Sequence, residues 1–203
     1  HKRNVKLISA GNIEDDLDKL SEVDWVIEVI IENLDIKRRL YASMSEHIGP
    51  ATIVSSNTST LPRAELVEDM SSEMASRFLI THFFNPPRYM YLLELVRGPD
   101  TSEEIFSAVR EFAEKRLGKG VVECKDTPNF IANRIGVLCM GASCVYQEET
   151  GLSIEEIDAI TGPVIGRPKT ATFRLHDLVG IDVALMVMKN VYDLVPDDES
   201  REL

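Results

Sequence analysis

The feature that most restricts what this chain can fold into is a change of period near Asp126. Ahead of it, short apolar blocks alternate with segments of helical spacing; beyond it only helical spacing continues. "DWVIEVII" (24–31) is an apolar run broken mainly by Glu28, which predicts a strand covered on both faces. "ENLDIKRRLYASMSEHIG" carries Leu34, Leu40, Met44 and Ile48 at near-helical spacing and stops at Gly49-Pro50. "ATIVSSNTS" predicts a second buried strand, and "SRFLITHFF" a third after a charged helical or irregular link from 62 to 74. "TSEEIFSAVREFAEKRLG" predicts a helix capped by Thr101 or Ser102 and closed at Gly118, followed by a strand in "GVVECKD". Such alternation predicts a doubly wound α/β sheet.

After the change of period, Thr127-Pro128 can open a helix. "NFIANRIGVLCMGASCVYQEET" sets Phe130, Ile131, Ile135, Leu138, Ala142 and Val145 on one broad face before Gly151. Ser153 and Glu156 form a capping box for a further helix ending near Thr161-Gly162-Pro163. The stretch "ATFRLHDLVGIDVALMVMKNVYDLV" reads as helical with a break around Gly180. These signals divide the chain into an α/β part, 1–125, and an all-helical part, 126–203.

Composition narrows the function classes. At 203 residues and 44% hydrophobic, the chain can bury a sizeable core. No run is apolar enough to span a bilayer, and "HKRNVKLISAGN" lacks the apolar block of a signal peptide, so a cytoplasmic protein is expected. A net charge of −12 repels nucleic acid and anionic membranes. Cys124, Cys139 and Cys144 form no C-x-x-C pair, and the four histidines form no H-E-x-x-H pattern, so neither a disulfide framework nor a metal is expected.

Within "THFFNPPRYMYLLELV" (81–96), Asn85-Pro86-Pro87 reads as a chain reversal. Residue 88 is the midpoint of 82 and 94, so strands folding back about it bring His82 opposite Glu94. A carboxylate beside an imidazole fixes its tautomer and raises its basicity, as general base catalysis requires. On spacing alone, a hydrogen-bonded core histidine with an edge-strand glutamate remains the simpler reading. Ligands of an open α/β sheet bind at the carboxyl ends of its strands. Three polar segments fall there: Glu32-Asn33, "SSNTST" (55–60), and His82 to Asn85. An ordinary Ser/Thr turn explains "SSNTST" as well as a ligand site does.

In order, "VIEVIIENLDIK", "VSSNTSTL", "THFFNPPRYMYLLE" and "KDTPNFIANR" resemble the L-3-hydroxyacyl-CoA dehydrogenases of fatty-acid β-oxidation. "TGPVIGRPKTATFRLHDLVGID" looks most like the bacterial multifunctional members, which carry an enoyl-CoA hydratase module on the same polypeptide. The resemblance implies His82 as general base, Glu94 as its orienting partner, and Ser59 and Asn133 around the substrate hydroxyl and thioester carbonyl. It implies Glu32, Lys37, Ser59 and Asn85 as NAD contacts, an acyl-CoA substrate, and a cleft between the domains. Two departures stand out. The strand, G-x-G-x-x-G turn and helix that open family members are not found in this sequence, and Gly118-Lys119-Gly120 precedes a strand instead of following one. The helical part is also short. The expected fold is therefore an incomplete doubly wound, Rossmann-like sheet followed by an all-α domain, an interior portion of a longer enzyme with little dehydrogenase activity alone. The rival readings are a dehydrogenase of a free hydroxy acid and a non-catalytic assembly or homodimerisation module. For the second, apolar "LVGIDVALMVM" is a contact surface or interior packing.

Overall fold

The computed structural model describes residues 4–197. The chain divides into two compact units, His1–Asp126 and Thr127–Leu203. The first is built on a five-stranded sheet of β1 (Trp25–Glu28), β2 (Ile53–Ser56), β3 (Phe78–Phe83), β4 (Leu92–Val96) and β5 (Gly120–Cys124). These strands lie side by side in chain order. β1, β2 and β3 are parallel, β4 runs antiparallel to β3, and β5 is parallel to β4. This is one flank of a Rossmann-like sheet.

The connections are α1 (Leu34–Ser45), the short α2 (Arg63–Leu66) and α3 (Ser72–Ser76), and α4 (Glu103–Lys115). Asn33 caps α1 by accepting from the Ile36 N–H, an N-cap role its short polar side chain suits. Ser102 precedes α4, but its side chain makes no cap bond. Thr101 instead donates its hydroxyl to the Phe78 carbonyl, tying the helix start to β3. Phe106, Val109 and Ala113 of α4 pack on Leu79, Leu93 and Leu95 in the core. β3 is buried from Phe78 to His82, as a central strand must be.

The expectation that "DWVIEVII" is covered on both faces does not hold. β1 is only four residues long and, among the described residues, pairs with β2 alone. It is the outermost strand among the described residues, and Ile27, Val29 and Ile31 are exposed within this chain. The reversal after β3 is as expected: Tyr89 and Met90 N–H groups donate to the Pro86 carbonyl at 2.9 and 3.0 Å.

The second unit is all-helical: α5 (Ala132–Thr150), α6 (Ile154–Thr161), α7 (Phe173–Val179) and α8 (Ile181–Leu194). α5 opens at Ala132, four residues later than a helix with Pro128 in its first position. Asn129 and Phe130 intervene with φ of 61° and 49°, left-handed values that a helix cannot contain. The Ser153–Glu156 capping box forms in full, and Gly180, at φ 99°, separates α7 from α8. Asp158 of α6 accepts from the backbone N–H groups of Thr172, Phe173 and Arg174, so α7 is capped from a neighbouring helix. Much of the face expected to be buried is open: Ile131, Ile135 and Leu138, and Leu178, Ile181, Leu185 and Met186, are all exposed. A few helices packed together cover only part of such broad apolar faces.

Candidate functional site

The antiparallel ladder sets His82 of β3 directly opposite Glu94 of β4, the pairing that symmetry about residue 88 predicts. His82 Nδ1 lies 2.7 Å from Glu94 Oε2. Both residues are buried, at 4% and 1% exposure, and the Phe84 ring lies 4.5 Å from the imidazole, centroid to centroid. A short bond to a buried carboxylate orients the ring and makes Nδ1 the donor, leaving the neutral imidazole's lone pair on Nε2.

The hairpin bearing this pair is held from the residue just before β5. Lys119, 8% exposed, donates to the carbonyls of Pro87 and Met90, with its ammonium 5.6 Å from the Phe83 ring centroid. Gly120 beside it leaves room for the Tyr91 ring, which a Cβ there would meet at 2.3 Å. Gly118 serves a left-handed turn, at φ 68°, and Gly120 a close approach to a side chain, which fits the sequence-based rejection of Gly118-Lys119-Gly120 as a phosphate loop.

The carboxyl ends of β1 and β2 form a second polar cluster. Glu32 Oε1 accepts from the Thr58 hydroxyl at 2.5 Å, from the Ser59 and Thr60 backbone N–H groups at 3.0 Å each, and from the Thr60 hydroxyl at 2.9 Å. Burial pushes this carboxyl up, but the Thr58 hydroxyl, the Lys37 charge and the two Thr60 donors outweigh it and hold Glu32 below its ordinary value. Lys37 lies under it, 1% exposed, with Nζ 2.7 Å from Glu28 and 3.5 Å from Glu32. Glu28 also accepts from the hydroxyls of Tyr41 and Ser56. Burial first, then the Glu28 charge, raise the Tyr41 phenol far above its usual range, so it stays a donor. Asn57 links this cluster to the histidine strand by accepting from the Phe83 N–H at 2.9 Å.

Of the residues singled out from sequence, the structure brings together His82 with Glu94, and Glu32 with Lys37 and the Ser59 backbone. Asn85 is exposed in the hairpin loop, and Asn133 lies half-buried in the first turn of α5 in the second unit. Glu32, Ser59 and Asn85 keep exposed atoms near the strand ends, and Lys37 lies beneath Glu32 at 1% side-chain exposure. Sequence reasoning singled out the 55–60 segment without the separate roles of Asn57, Thr58 and Thr60, and it missed Glu28 and Tyr41. The available signal was the charge of Glu28 inside an apolar block, nine positions before Lys37. Asp126 was missed as well: its carboxylate accepts from the Arg63 and Ala64 N–H groups at 2.5 and 2.8 Å, capping α2.

Residues 1–127 match the model of the 3-hydroxyacyl-CoA dehydrogenase NAD binding domain, and residues 130–203 that of the 3-hydroxyacyl-CoA dehydrogenase C-terminal domain. The chain is 48% identical over 199 residues to a probable 3-hydroxyacyl-CoA dehydrogenase of Bacillus subtilis, covering 98% of this chain and 25% of that protein. It is 41% identical to a putative fatty acid oxidation complex trifunctional enzyme of Rickettsia prowazekii, over 97% of this chain and 28% of that one. The crystal structure of (S)-3-hydroxybutyryl-CoA dehydrogenase from Ralstonia eutropha superimposes with a TM-score of 0.79 at 34% identity, over 91% of this chain and 64% of its own. Among the first curated relatives, the chain spans between 25% and 58% of their length. An NAD-binding domain model over the sheet, a C-terminal domain model over the helices, and relatives at this identity all agree: the chain belongs to the 3-hydroxyacyl-CoA dehydrogenase family.

Proposed function

We propose that this chain is the dehydrogenase portion of an enzyme that oxidises an L-3-hydroxyacyl-CoA to the 3-ketoacyl-CoA with NAD. The observation that carries the proposal is the buried 2.7 Å contact between His82 and Glu94 at the carboxyl end of β3. His82 accepts the hydroxyl proton at Nε2, and Glu94 stabilises the imidazolium that forms. Bound NAD would accept the hydride from C3, so one proton and one hydride leave the alcohol together. Glu32, Ser59 and Asn85 line the cofactor side. Ser59 and Asn133 hydrogen-bond the substrate's hydroxyl and thioester oxygens and hold it for transfer. Residues 1–125 serve the cofactor and 126–203 the acyl substrate.

The same proposal includes a cytoplasmic location, supported by bacterial relatives named as fatty acid oxidation enzymes. It also includes a partner for the helical unit, either a second copy of the chain or an enoyl-CoA hydratase module. The exposed apolar residues of α7 and α8 support that part.

The test is an NADH absorbance assay on the full-length protein, with an L-3-hydroxyacyl-CoA and the matching free hydroxy acid in parallel. Turnover of the thioester and not of the free acid is expected. Comparable rates on both would overturn the acyl-CoA assignment, and no turnover of either would overturn the reaction.

A further inference from the structure

Glu28 has no part in the chemistry above, yet its carboxylate is fully enclosed and fully bonded. Its side chain is 0% exposed at the last position of β1. Oε1 accepts from the Ile30 N–H at 2.6 Å and from Lys37 Nζ at 2.7 Å; Oε2 accepts from the Tyr41 hydroxyl at 2.6 Å and the Ser56 hydroxyl at 2.7 Å. These donors come from the loop after β1, from α1, and from the end of β2. One carboxylate therefore fastens three segments. Burying it is costly unless every partner is in place, and an apolar side chain could fill the same core position. What the ionic cluster adds is orientation.

That orientation bears on the cofactor side. The Lys37 ammonium has three N–H donors and faces three acceptors: Glu28 at 2.7 Å, the Ile30 carbonyl at 3.3 Å and Glu32 at 3.5 Å. At 1% side-chain exposure it supports Glu32 from below. On the other side, the Ser56 hydroxyl bound to Glu28 accepts from the Thr58 N–H at 3.2 Å, and Thr58 through Thr60 wrap the Glu32 carboxylate.

We propose that Glu28 is a positioning residue for the cofactor rim, holding Lys37 beneath Glu32 and Ser56 beneath Thr58 so that Glu32 and Ser59 meet the dinucleotide in one arrangement. The proposal rests on the dehydrogenase reading above.

The test measures calorimetric affinity for NAD, KM and kcat, and melting temperature in the full-length protein. The variants are Glu28→Gln, Tyr41→Phe, and the charge-free pair Glu28→Gln/Lys37→Met. A loosened rim should weaken NAD binding about tenfold in Glu28→Gln and about threefold in Tyr41→Phe, with kcat at saturating NAD within about twofold. In the pair, melting temperature should return toward the wild-type value while NAD affinity does not. Affinity that recovers together with melting temperature would make Glu28 a stability residue only, as would unchanged affinity in both single variants. If Glu28→Gln fails to fold, Tyr41→Phe and the pair decide by the same criteria. A wild-type protein that binds no NAD overturns the dehydrogenase reading and this proposal together. One that binds NAD equally well with and without Glu28 overturns this proposal alone.

Discussion

His82 and Glu94 are both buried, and their mutual hydrogen bond offsets part of the cost of placing two polar side chains there. A glutamine in place of Glu94 preserves shape and loses the charge that stabilises the protonated ring. Glu94→Gln should lower kcat by about 10²-fold, the scale of a positioned acid–base partner. Steady-state rates at saturating substrate check this, and unchanged turnover would remove Glu94 from the mechanism. Asn133→Ala is expected to raise KM for the acyl-CoA about fivefold to tenfold, the value of one hydrogen bond, with calorimetric NAD affinity unaltered. Equal loss of both affinities would make Asn133 structural. The pair was legible because the residues of a hairpin face each other at equal distances from its turn, so spacing alone specifies the partner. Glu28 was legible only as a charge inside an apolar block, because its four donors come from segments that meet it only in the fold.

At the scale of elements, three short helices depend on side chains at or beyond their own ends. Asp126 accepts the first N–H groups of α2 from more than 60 positions away, and Asp158 does the same for α7 from within α6. Ser153 caps α6 locally. Ser153→Ala should cost about 1 kcal/mol, and Asp126→Ala about 1–2 kcal/mol because two donors lose their partner. Urea midpoints check both, and an Asp126→Ala variant with wild-type stability would show that water replaces the cap. Of these caps only Ser153 was readable in advance: a capping box is written within four consecutive residues, whereas Asp126 and Asp158 reach their helices only after the chain has folded. The late start of α5 has a similar cause, since the left-handed backbone at Asn129 and Phe130 follows from how the chain turns there.

For the molecule as a whole, the strand-end cluster links stability to pH. Glu32 lies below its unfolded value near 4.5, so its contribution is fully present above that value and is lost as pH falls through the lower folded value. Asp100, where burial is outweighed by the Arg63 pair, is also lowered and acts in the same direction on the acid side of 3.8. Denaturant midpoints should therefore drop below about pH 4.5, and Glu32→Gln should be less stable at neutral pH with a shallower acid limb. Parallel acid limbs would separate Glu32 from this linkage. The sequence by itself determined the alternation of strand and helix, the change of period near Asp126, the opposition of His82 and Glu94, and the Ser153 cap, because each rests on local spacing or on symmetry about one turn. Only the tertiary structure decided that Lys37 lies beneath Glu32 and that Glu28 fastens three segments. Those outcomes depend on which elements lie side by side, and burial and hydrogen-bond partners across a sheet are set by neighbours that are remote in the chain.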